Sequence, residues 1–160
     1  MDAPLQIREF LPGDEAAFRR LNEDWIVRYF AMEAKDAETL SEPQRTILDR
    51  GGRIFFAVRQ HEIVGCCALL AMAAGEYEVA KMAVTESLRG AGIGRTLLER
   101  VVAKARDSGA TRLYLETNRI LAPAIRLYET VGFQHIPPER VVPSPYTRAN
   151  VYMEMMLREP

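Results

Sequence analysis

The hydrophobic pattern of this chain changes its period near residue 89, and that change limits the folds open to it. Before this point, apolar residues form short strand-like runs separated by turn residues. After it, they recur at helical spacing at Ile93, Leu97, Leu98, Val101, Val102 and Ala105. The strand that follows, Arg112 to Thr117, is parallel to the strand before the helix, because a helical crossover separates them. The chain therefore combines antiparallel pairing with one βαβ unit.

The remaining strands complete a mixed sheet. The runs before the change are Gln6 to Phe10, Ile54 to Arg59, Ile63 to Met72 and Tyr77 to Val84. Gln60-His61-Glu62 joins two of them as a hairpin, and the others follow as an antiparallel meander. Phe133 to Ile136 and Val151 to Leu157 are the last two strands. We predict an α/β fold with a central mixed sheet of six to seven strands, antiparallel in its N-terminal half.

About four helices are expected around this sheet. The first follows Pro12-Gly13-Asp14, and the second begins at the capping-box pattern Ser41-Glu42-Pro43-Gln44 and ends at Gly51-Gly52. The third is the helix that begins near Ile93, and the fourth runs from Pro123 to Gly132. Because no repeat, linker or low-complexity tract divides the chain, we expect one domain over residues 1–160.

Composition excludes several classes of function. The chain has 160 residues with 21 basic and 22 acidic side chains and no block of like charge, so no nucleic-acid or membrane partner is expected. The longest apolar stretch, Ile63 to Ala74, is too short to span a bilayer, and no signal peptide is evident. Adjacent cysteines, Cys66 and Cys67, fit reduced strand residues of a cytoplasmic protein. Only two histidines occur, far apart, so we expect no metal.

A glycine-rich loop, Arg89-Gly90-Ala91-Gly92-Ile93-Gly94-Arg95, separates the strand from the helix at the change of period. Glycines allow successive N–H groups to converge on one anion, and the following helix adds free donors and a positive dipole end. Arg89 and Arg95 can add charge-assisted hydrogen bonds. The loop is therefore a candidate pyrophosphate site, and a plain turn is the alternative.

Two common nucleotide motifs do not match this loop. No G-x-x-x-x-G-K-[ST] sequence exists, and the glycines are spaced G-x-G-x-G instead of G-x-G-x-x-G. Glu116 ends the next strand, where a Rossmann fold has its ribose-binding acid. However, an antiparallel meander precedes the loop, and one βαβ unit is too little for a dinucleotide. A nucleotide-dependent oxidoreductase is an alternative that predicts binding of NAD.

Two motifs, in order, resemble those of the GNAT superfamily of N-acetyltransferases. Arg89-Gly90-Ala91-Gly92-Ile93-Gly94 resembles its [Q/R]-x-x-G-x-[G/A] signature. Asn118, followed by Ala124-Ile125-Arg126-Leu127-Tyr128-Glu129-Thr130-Val131-Gly132-Phe133, resembles its signature N-x(n)-A-x-x-L-Y-x-x-x-G-F. The resemblance covers Ile54 to Phe133 well and the rest only in element order. It implies a GNAT fold, two parallel strands that splay apart, and acetyl-CoA as the cofactor.

The resemblance also implies a set of site residues. Backbone amides of residues 89–95 would bind the pyrophosphate, and those of Met82 and Val84 would meet the pantetheine and the thioester carbonyl. Asn118 would bond the pantetheine, and Tyr128 would lie near the sulfur. The implied cofactor-binding set is Met82, Ala83, Val84, Arg89, Gly90, Ala91, Gly92, Ile93, Gly94, Arg95, Asn118, Ala124 and Tyr128.

Acetyl transfer needs a base for the amine, a donor for the carbonyl oxygen and an acid for the leaving thiolate. Tyr128 suits the acid. Glu78 is the expected base, because the segment from Tyr77 resembles the histone-acetyltransferase branch, which has a glutamate six residues before a valine. Strand alternation puts Glu78 on one face with Met82 and Val84. The alternatives are a solvent-facing strand residue for Glu78, a buried core residue for Tyr128, and a helix-cap or turn residue for Asn118.

We expect the acceptor pocket to come from the first two helices and the loop Pro143 to Arg148. Trp25, Tyr29, Phe30 and Tyr146 could form an aromatic wall, and Arg28 or Arg148 could bind a carboxylate. The expected function is transfer of acetyl from acetyl-CoA to a primary amine of a small or amino-acid-like molecule, by direct attack in a ternary complex. The alternatives are a protein N-terminal or lysine acetyltransferase and a non-catalytic acyl-CoA-binding module. The sequence leaves the assembly open, a homodimer included.

Overall fold

A computed structural model describes residues 4–157. In these residues seven strands form one sheet, and five α-helices cover it. The strands are β1 Gln6–Glu9, β2 Arg53–Arg59, β3 Glu62–Ala71, β4 Glu76–Val84, β5 Arg112–Thr117, β6 Gln134–His135 and β7 Val151–Met156. The helices are α1 Glu15–Tyr29, α2 Ala34–Ser41, α3 Pro43–Thr46, α4 Ile93–Asp107 and α5 Ala122–Val131. None of these helices is long and apolar enough to cross a membrane.

The sheet has the order β1-β2-β3-β4-β5-β7-β6. The first four strands pair antiparallel, β4 and β5 pair parallel, and β7 pairs antiparallel with both β5 and β6. The prediction of a mixed sheet with an antiparallel N-terminal half and one βαβ unit is thus confirmed. Gln60 and His61 form the predicted hairpin turn with φ of 52° and 65°, the positive values that a two-residue type I′ turn requires.

Helices pack on both faces of the sheet. One core, which includes Phe55, Cys67 and Val79, lies under α4 and α5. The other, which includes Phe56 and Cys66, lies under α1 and α2. The adjacent cysteines therefore point to opposite faces, both thiols are free and buried, and burial raises the pKa of each. Thiols so placed are poor nucleophiles and act as core residues, as predicted.

The two parallel strands separate soon after they meet. Their paired residues are Glu76 with Arg112, Tyr77 with Leu113 and Glu78 with Tyr114. Beyond these pairs β4 continues to Val84 and β5 to Thr117 without further pairing in residues 4–157. An opening therefore lies between their C-terminal halves, and the backbone of β4 borders it without a neighbouring strand on that side.

A β-bulge interrupts β4 just before the opening. Its register with β3 shifts between the pairs Ala68–Ala80 and Cys66–Ala83, and Lys81 has a φ of 52°. The bulge inverts the alternation of side chains along the strand. Consequently, Glu78, opposite Leu70, faces α1 and α2, whereas Met82 and Val84 pack on the α4 side. The prediction that Glu78 shares a face with Met82 and Val84 is wrong, since alternation holds only in an unbroken ladder.

The segment between α1 and β2 also departs from the prediction. α2 was not expected, and the predicted helix from Ser41 to Gly51 is instead the short α3 followed by a 3-10 turn. The capping box lies at Glu33 and Asp36: each side chain accepts the other's backbone N–H. A glutamate at the N-cap and a helix with few large apolar residues give little signal in sequence. β6 is also shorter than the predicted strand from Phe133 to Ile136.

Candidate active site

The opening between β4 and β5 leads into a cleft of about 660 Å³. Its walls are the second half of β4, the N-terminal ends of α4 and α5, the inner sides of α1 and α2, and the loop around Tyr146. A volume of this size suits a cofactor or small ligand. All of the predicted catalytic, cofactor-binding and acceptor residues line this cleft except Arg28 and Ala91.

The glycine-rich loop forms one end of the cleft. Gly90 and Gly92 have φ of 84° and 82°, and a Cβ atom at either residue would meet nothing within 4 Å. Glycine is therefore favoured at both positions by the left-handed backbone conformation, and the space in front of the loop is open. A Cβ at Gly94 would contact Met82 at 3.4 Å and Leu127 at 3.5 Å, so this glycine allows α4 to pack closely on β4 and α5.

Backbone N–H groups at the start of α4 are available to a ligand. Gly92 is the N-cap and has no side-chain cap, and the first helical hydrogen bond runs from the Thr96 N–H to its carbonyl at 3.1 Å. The N–H groups of Ile93, Gly94 and Arg95 therefore have no acceptor among residues 4–157. In contrast, the N–H of Arg89 bonds Glu86 and that of Ala91 bonds Leu88. The N–H groups of Arg89 and Ala91 are therefore already hydrogen-bonded within the chain. This removes two residues from the set of amides, residues 89–95, that was predicted to bind a pyrophosphate.

The electrostatics of this end suit a diphosphate. The positive end of the α4 dipole points into the cleft, and its free N–H groups lie there. The Arg89 side chain is exposed at the loop, and the exposed Arg95 pairs with Glu99 at 2.8 Å, a bond that solvent weakens. Open left-handed glycines, unpaired amides and two arginines are the donor set that the diphosphate of coenzyme A requires, so the loop fits the cofactor.

The backbone of β4 offers two further donors beside the opening. The Thr85 N–H bonds the Val64 carbonyl at 2.8 Å, and Cys66 lies opposite Ala83. Because bonded residues alternate in an antiparallel ladder, the N–H groups of Met82 and Val84 turn away from β3 and toward the opening. A ligand arm that lies between the strands can therefore accept hydrogen bonds from β4.

Tyr128 lines the cleft from α5. Its ring packs edge-on against Phe133, with 6.0 Å between centroids, and against the core that contains Cys67. No group in the described part of the chain hydrogen-bonds its hydroxyl. Burial raises the pKa of Tyr128, with a smaller contribution from Cys67. The phenol is therefore protonated at neutral pH and able to donate its proton to a group in the cleft.

Glu78 lies where β4 and β5 part, and its side chain lines the cleft from the α1 and α2 side. Burial, and then the nearby negative charge of Glu116, raise its pKa to about 7, while Lys35 and Lys81 oppose the shift. Within residues 4–157 nothing hydrogen-bonds its carboxyl group. A free carboxylate with this pKa is suited to accept a proton near neutral pH.

Glu116 occupies the same side of the cleft but is held by neighbours. Its carboxylate accepts hydrogen bonds from the Ser144 hydroxyl at 2.6 Å and the Tyr114 hydroxyl at 2.9 Å. The sequence singled it out as a ribose-binding acid of a Rossmann fold. A Rossmann fold has a mostly parallel sheet, so the mixed sheet seen here does not support a nucleotide-dependent oxidoreductase.

A buried ionic cluster that the sequence pattern does not predict supports this side of the cleft. Asp36 is fully buried and accepts hydrogen bonds from Lys81 at 2.7 Å and from Arg148 at 2.6 and 2.7 Å. Burial acts to raise the pKa of Asp36, but the bonds from Arg148 and Lys81 outweigh it and lower the pKa to about 2. The Tyr146 ring packs against Arg148, whose guanidinium carbon is 4.5 Å from its centroid, and against Lys81. The cluster joins α2, the bulge of β4 and the loop near the C-terminus.

The predicted carboxylate-binding arginines are not available in the cleft. Arg28 lies outside it and pairs with Glu86 at the exposed surface. Arg148 lines it, but its guanidinium is engaged by Asp36 and Glu33. Each prediction is corrected for the same reason: a carboxylate of the chain already neutralises the cation. The aromatic residues do line the cleft, and Trp25 packs edge-on against Phe30 at 6.1 Å.

Asn118 lines the cleft but also holds the chain together. Its Nδ2 donates to the Arg148 carbonyl at 2.6 Å, and its Oδ1 accepts from the Ile120 N–H at 2.9 Å. The side chain therefore fixes the loop that carries Arg148 against the end of β5. No group of three potential metal-binding side chains is found in the described part of the chain.

Comparison with known proteins assigns a family to this architecture. An IAA acetyltransferase of Azospirillum brasilense is 39% identical over 99 residues, which cover 61% of this chain and 60% of that protein. The uncharacterised N-acetyltransferase YjgM of Escherichia coli is 29% identical over 142 residues, 84% of each chain.

Solved structures share the fold at low sequence identity. A GNAT-family acetyltransferase from Staphylococcus aureus superposes with a TM-score of 0.87 at 20% identity, over 97% of this chain and all of that one. The yncA protein of Salmonella typhimurium, solved with its cofactor acetyl-CoA, gives 0.75 at 20% identity, over 99% and 96% of the two chains. The family model described as Acetyltransferase (GNAT) family matches residues 16–133. This match spans most of the sheet and the cleft, and the chain belongs to the acetyltransferase (GNAT) family.

Proposed function

We propose that this protein transfers the acetyl group of acetyl-CoA to a primary amine of a small molecule by direct attack in a ternary complex. One observation carries the proposal: Glu78 and Tyr128 line the same cleft, and within residues 4–157 neither side chain has a hydrogen-bond partner. An acceptor of protons and a donor of protons are thus both free in one cavity. Acetylation of an ammonium group removes two protons from the nitrogen and adds one to the sulfur, and this pair of side chains can accept and donate protons at these two atoms.

The residues that bind acetyl-CoA follow from the free donors of the cleft. The N–H groups of Ile93, Gly94 and Arg95 bind the diphosphate, and Arg89 adds positive charge. The N–H groups of Met82 and Val84 bind the pantetheine arm, and one of them donates to the thioester carbonyl. Bound there, acetyl-CoA supplies an acyl group activated as a thioester.

Glu78 acts as the general base. A primary ammonium has a pKa of about 10.4 in water, so it must lose a proton before the nitrogen can attack. With a pKa of about 7, the Glu78 carboxylate accepts that proton, directly or through one water. As the nitrogen forms its bond to the carbonyl carbon, negative charge develops on the oxygen and the β4 amide stabilises it. Tyr128 then donates its proton to the sulfur as the carbon–sulfur bond breaks, so the leaving group departs as a thiol. The nitrogen, which gained a positive charge when it attacked, loses its second proton, and this proton restores the Tyr128 phenol through solvent.

The test measures release of free coenzyme A with a panel of small amines and a lysine-containing peptide. We expect E78Q and Y128F to reduce kcat by about 100-fold or more, the range for loss of a general acid or base. Matched controls are E76Q, on the same strand with its carboxylate paired to Arg112 at 3.2 Å, and Y77F, outside the cleft.

Three results would contradict the proposal in different ways. Tight binding of acetyl-CoA without turnover of any amine indicates a non-catalytic acyl-CoA-binding module. Turnover of the peptide alone indicates a protein acetyltransferase. Unchanged kcat in both E78Q and Y128F removes the assigned roles of these residues.

A further inference from the structure

We call the part of the cleft that is lined by α1, α2 and the loop around Tyr146 its acceptor end. This end contains one cation that no carboxylate of the described chain neutralises. Lys35, in the first turn of α2, is exposed and lines the cleft. Its Nζ lies 5.6 Å from the centroid of the Tyr146 ring, and no carboxylate in residues 4–157 lies within the 4.0 Å of an ion pair. A cation over an aromatic ring at an exposed site is held weakly. The ammonium is therefore free to bind an anionic group of a ligand.

The other two cations of the acceptor end, Lys81 and Arg148, are already paired with carboxylates. Lys81 is buried and bonded to Asp36, and Arg148 is bonded to Asp36 and Glu33. Since a buried ion pair is strongly destabilised when one partner leaves, these two side chains serve the architecture. Lys35 is the remaining lysine or arginine on the acceptor side of the described cleft.

Of the two carboxylates at the acceptor end, Glu78 and Glu116, one is free and one is hydrogen-bonded. Glu78 is without a partner in the described chain and close enough to Lys35 for that charge to lower its pKa. Glu116 is held by the Ser144 and Tyr114 hydroxyls. A diamine would need a second free carboxylate for its second ammonium, and Glu116 is already occupied. A molecule with one amine and one carboxylate matches the free groups, with its amine at Glu78 and its carboxylate at Lys35.

The walls between these groups are apolar. Trp25, Tyr29 and Phe30 line the cleft from α1 and the residue after it, and Leu70 lines it from β3. We propose that Lys35 binds the carboxylate of the acceptor, and that the acceptor is an amino acid with an apolar or aromatic side chain. This inference rests on the proposed function and adds to it a substrate class and a residue that determines specificity.

The test compares acceptors that differ only in the carboxylate: L-phenylalanine with phenethylamine, and L-leucine with 3-methylbutylamine. For the wild-type protein we expect kcat/KM of the amino acid to exceed that of its amine by about tenfold or more, the effect of one charge-assisted contact. In K35M this ratio falls to about one, mainly through KM of the amino acid, while K35R retains a preference. K104M, which removes an exposed lysine of α4 outside the cleft, keeps the wild-type ratio.

A binding measurement separates this inference from the proposed function. Titration of L-phenylalanine into protein saturated with coenzyme A requires no turnover, and we expect K35M to weaken this binding by about tenfold relative to K104M. If no amine is acetylated but this difference is found, the proposed function fails and the Lys35 site stands. If amines or a diamine such as cadaverine are preferred over amino acids, or if K35M behaves as K104M, the Lys35 site is wrong.

Discussion

At the scale of single residues, the environment of Glu78 sets the pH dependence of the proposed reaction. Burial first, and then the charge of Glu116, raise its pKa to about 7. A base works only when deprotonated, so kcat should rise with pH and level off above about 7. Replacing Glu116 by glutamine removes a negative charge beside Glu78, so the pKa of Glu78 should fall. We therefore expect the acidic limb of the E116Q profile to lie at lower pH than that of the wild type.

The measurement is the pH profile of kcat at saturating acceptor, from pH 5 to 9, for both proteins. Glutamine retains an oxygen that can accept from Ser144 or Tyr114, so the wall of the cleft is preserved. E154Q is a suitable control, because Glu154 of β7 pairs with Arg112 of β5 and lies outside the cleft. A limb that stays at the same pH in E116Q would show that another group controls the titration.

At the scale of elements, the Asp36 cluster joins α2, the bulge of β4 and the loop near the C-terminus. Its carboxylate is fully buried between Lys81 and Arg148. Removing this buried anion leaves Lys81 without a carboxylate partner and Arg148 with Glu33 alone, and breaking a buried ion pair costs about 3–5 kcal/mol. We expect D36A to lose free energy of unfolding in this range in urea denaturation at pH 7. In contrast, E42Q breaks an exposed pair with Arg45 and should cost less than about 1 kcal/mol. Equal losses in the two variants would contradict the assigned role of the cluster.

The glycine-rich loop gives a second prediction at this scale. Gly92 has a φ of 82° and open space where a Cβ would lie, so alanine there adds backbone strain and places a methyl group in the proposed diphosphate site. Gly13 has a φ of 105° and equally open space, but it lies outside the cleft. Both G92A and G13A should therefore lose about 1–2 kcal/mol of stability. Only G92A should bind acetyl-CoA more weakly in titration calorimetry, by about tenfold or more; equal affinity in the two variants would exclude the loop as the binding site.

Local pattern predicted the elements and the glycine-rich loop, but not the features that depend on pairing between distant segments. The change of period near residue 89 gave the mixed sheet, because strand and helix periodicities are local properties. The bulge at Lys81 is a property of two paired strands, so the face of Glu78 was predicted wrongly. Arg148 was expected to bind a ligand, yet its partner Asp36 lies 112 residues away in the chain. Alternation and motif spacing contain no information on such contacts.

At the scale of the whole molecule, the cofactor should join parts of the fold that the protein alone leaves apart. β4 and β5 pair only at their beginnings, and the proposed ligand would contact β4, α4 and α5 across the opening. A ligand that binds only the folded state adds about 2.7 kcal/mol of stability at 100 times its Kd. For a chain of 160 residues, this corresponds to a rise in Tm of about 5–11 °C.

We therefore expect acetyl-CoA and coenzyme A each to raise Tm in a thermal denaturation series. G13A should show the same increment as the wild type at equal ligand concentration, and G92A a smaller one. NAD should leave Tm unchanged, because the sheet has one βαβ unit and the loop has no third glycine at the Rossmann spacing. A rise with NAD and none with coenzyme A would mean that the opening binds a different nucleotide and that the strands part for another reason.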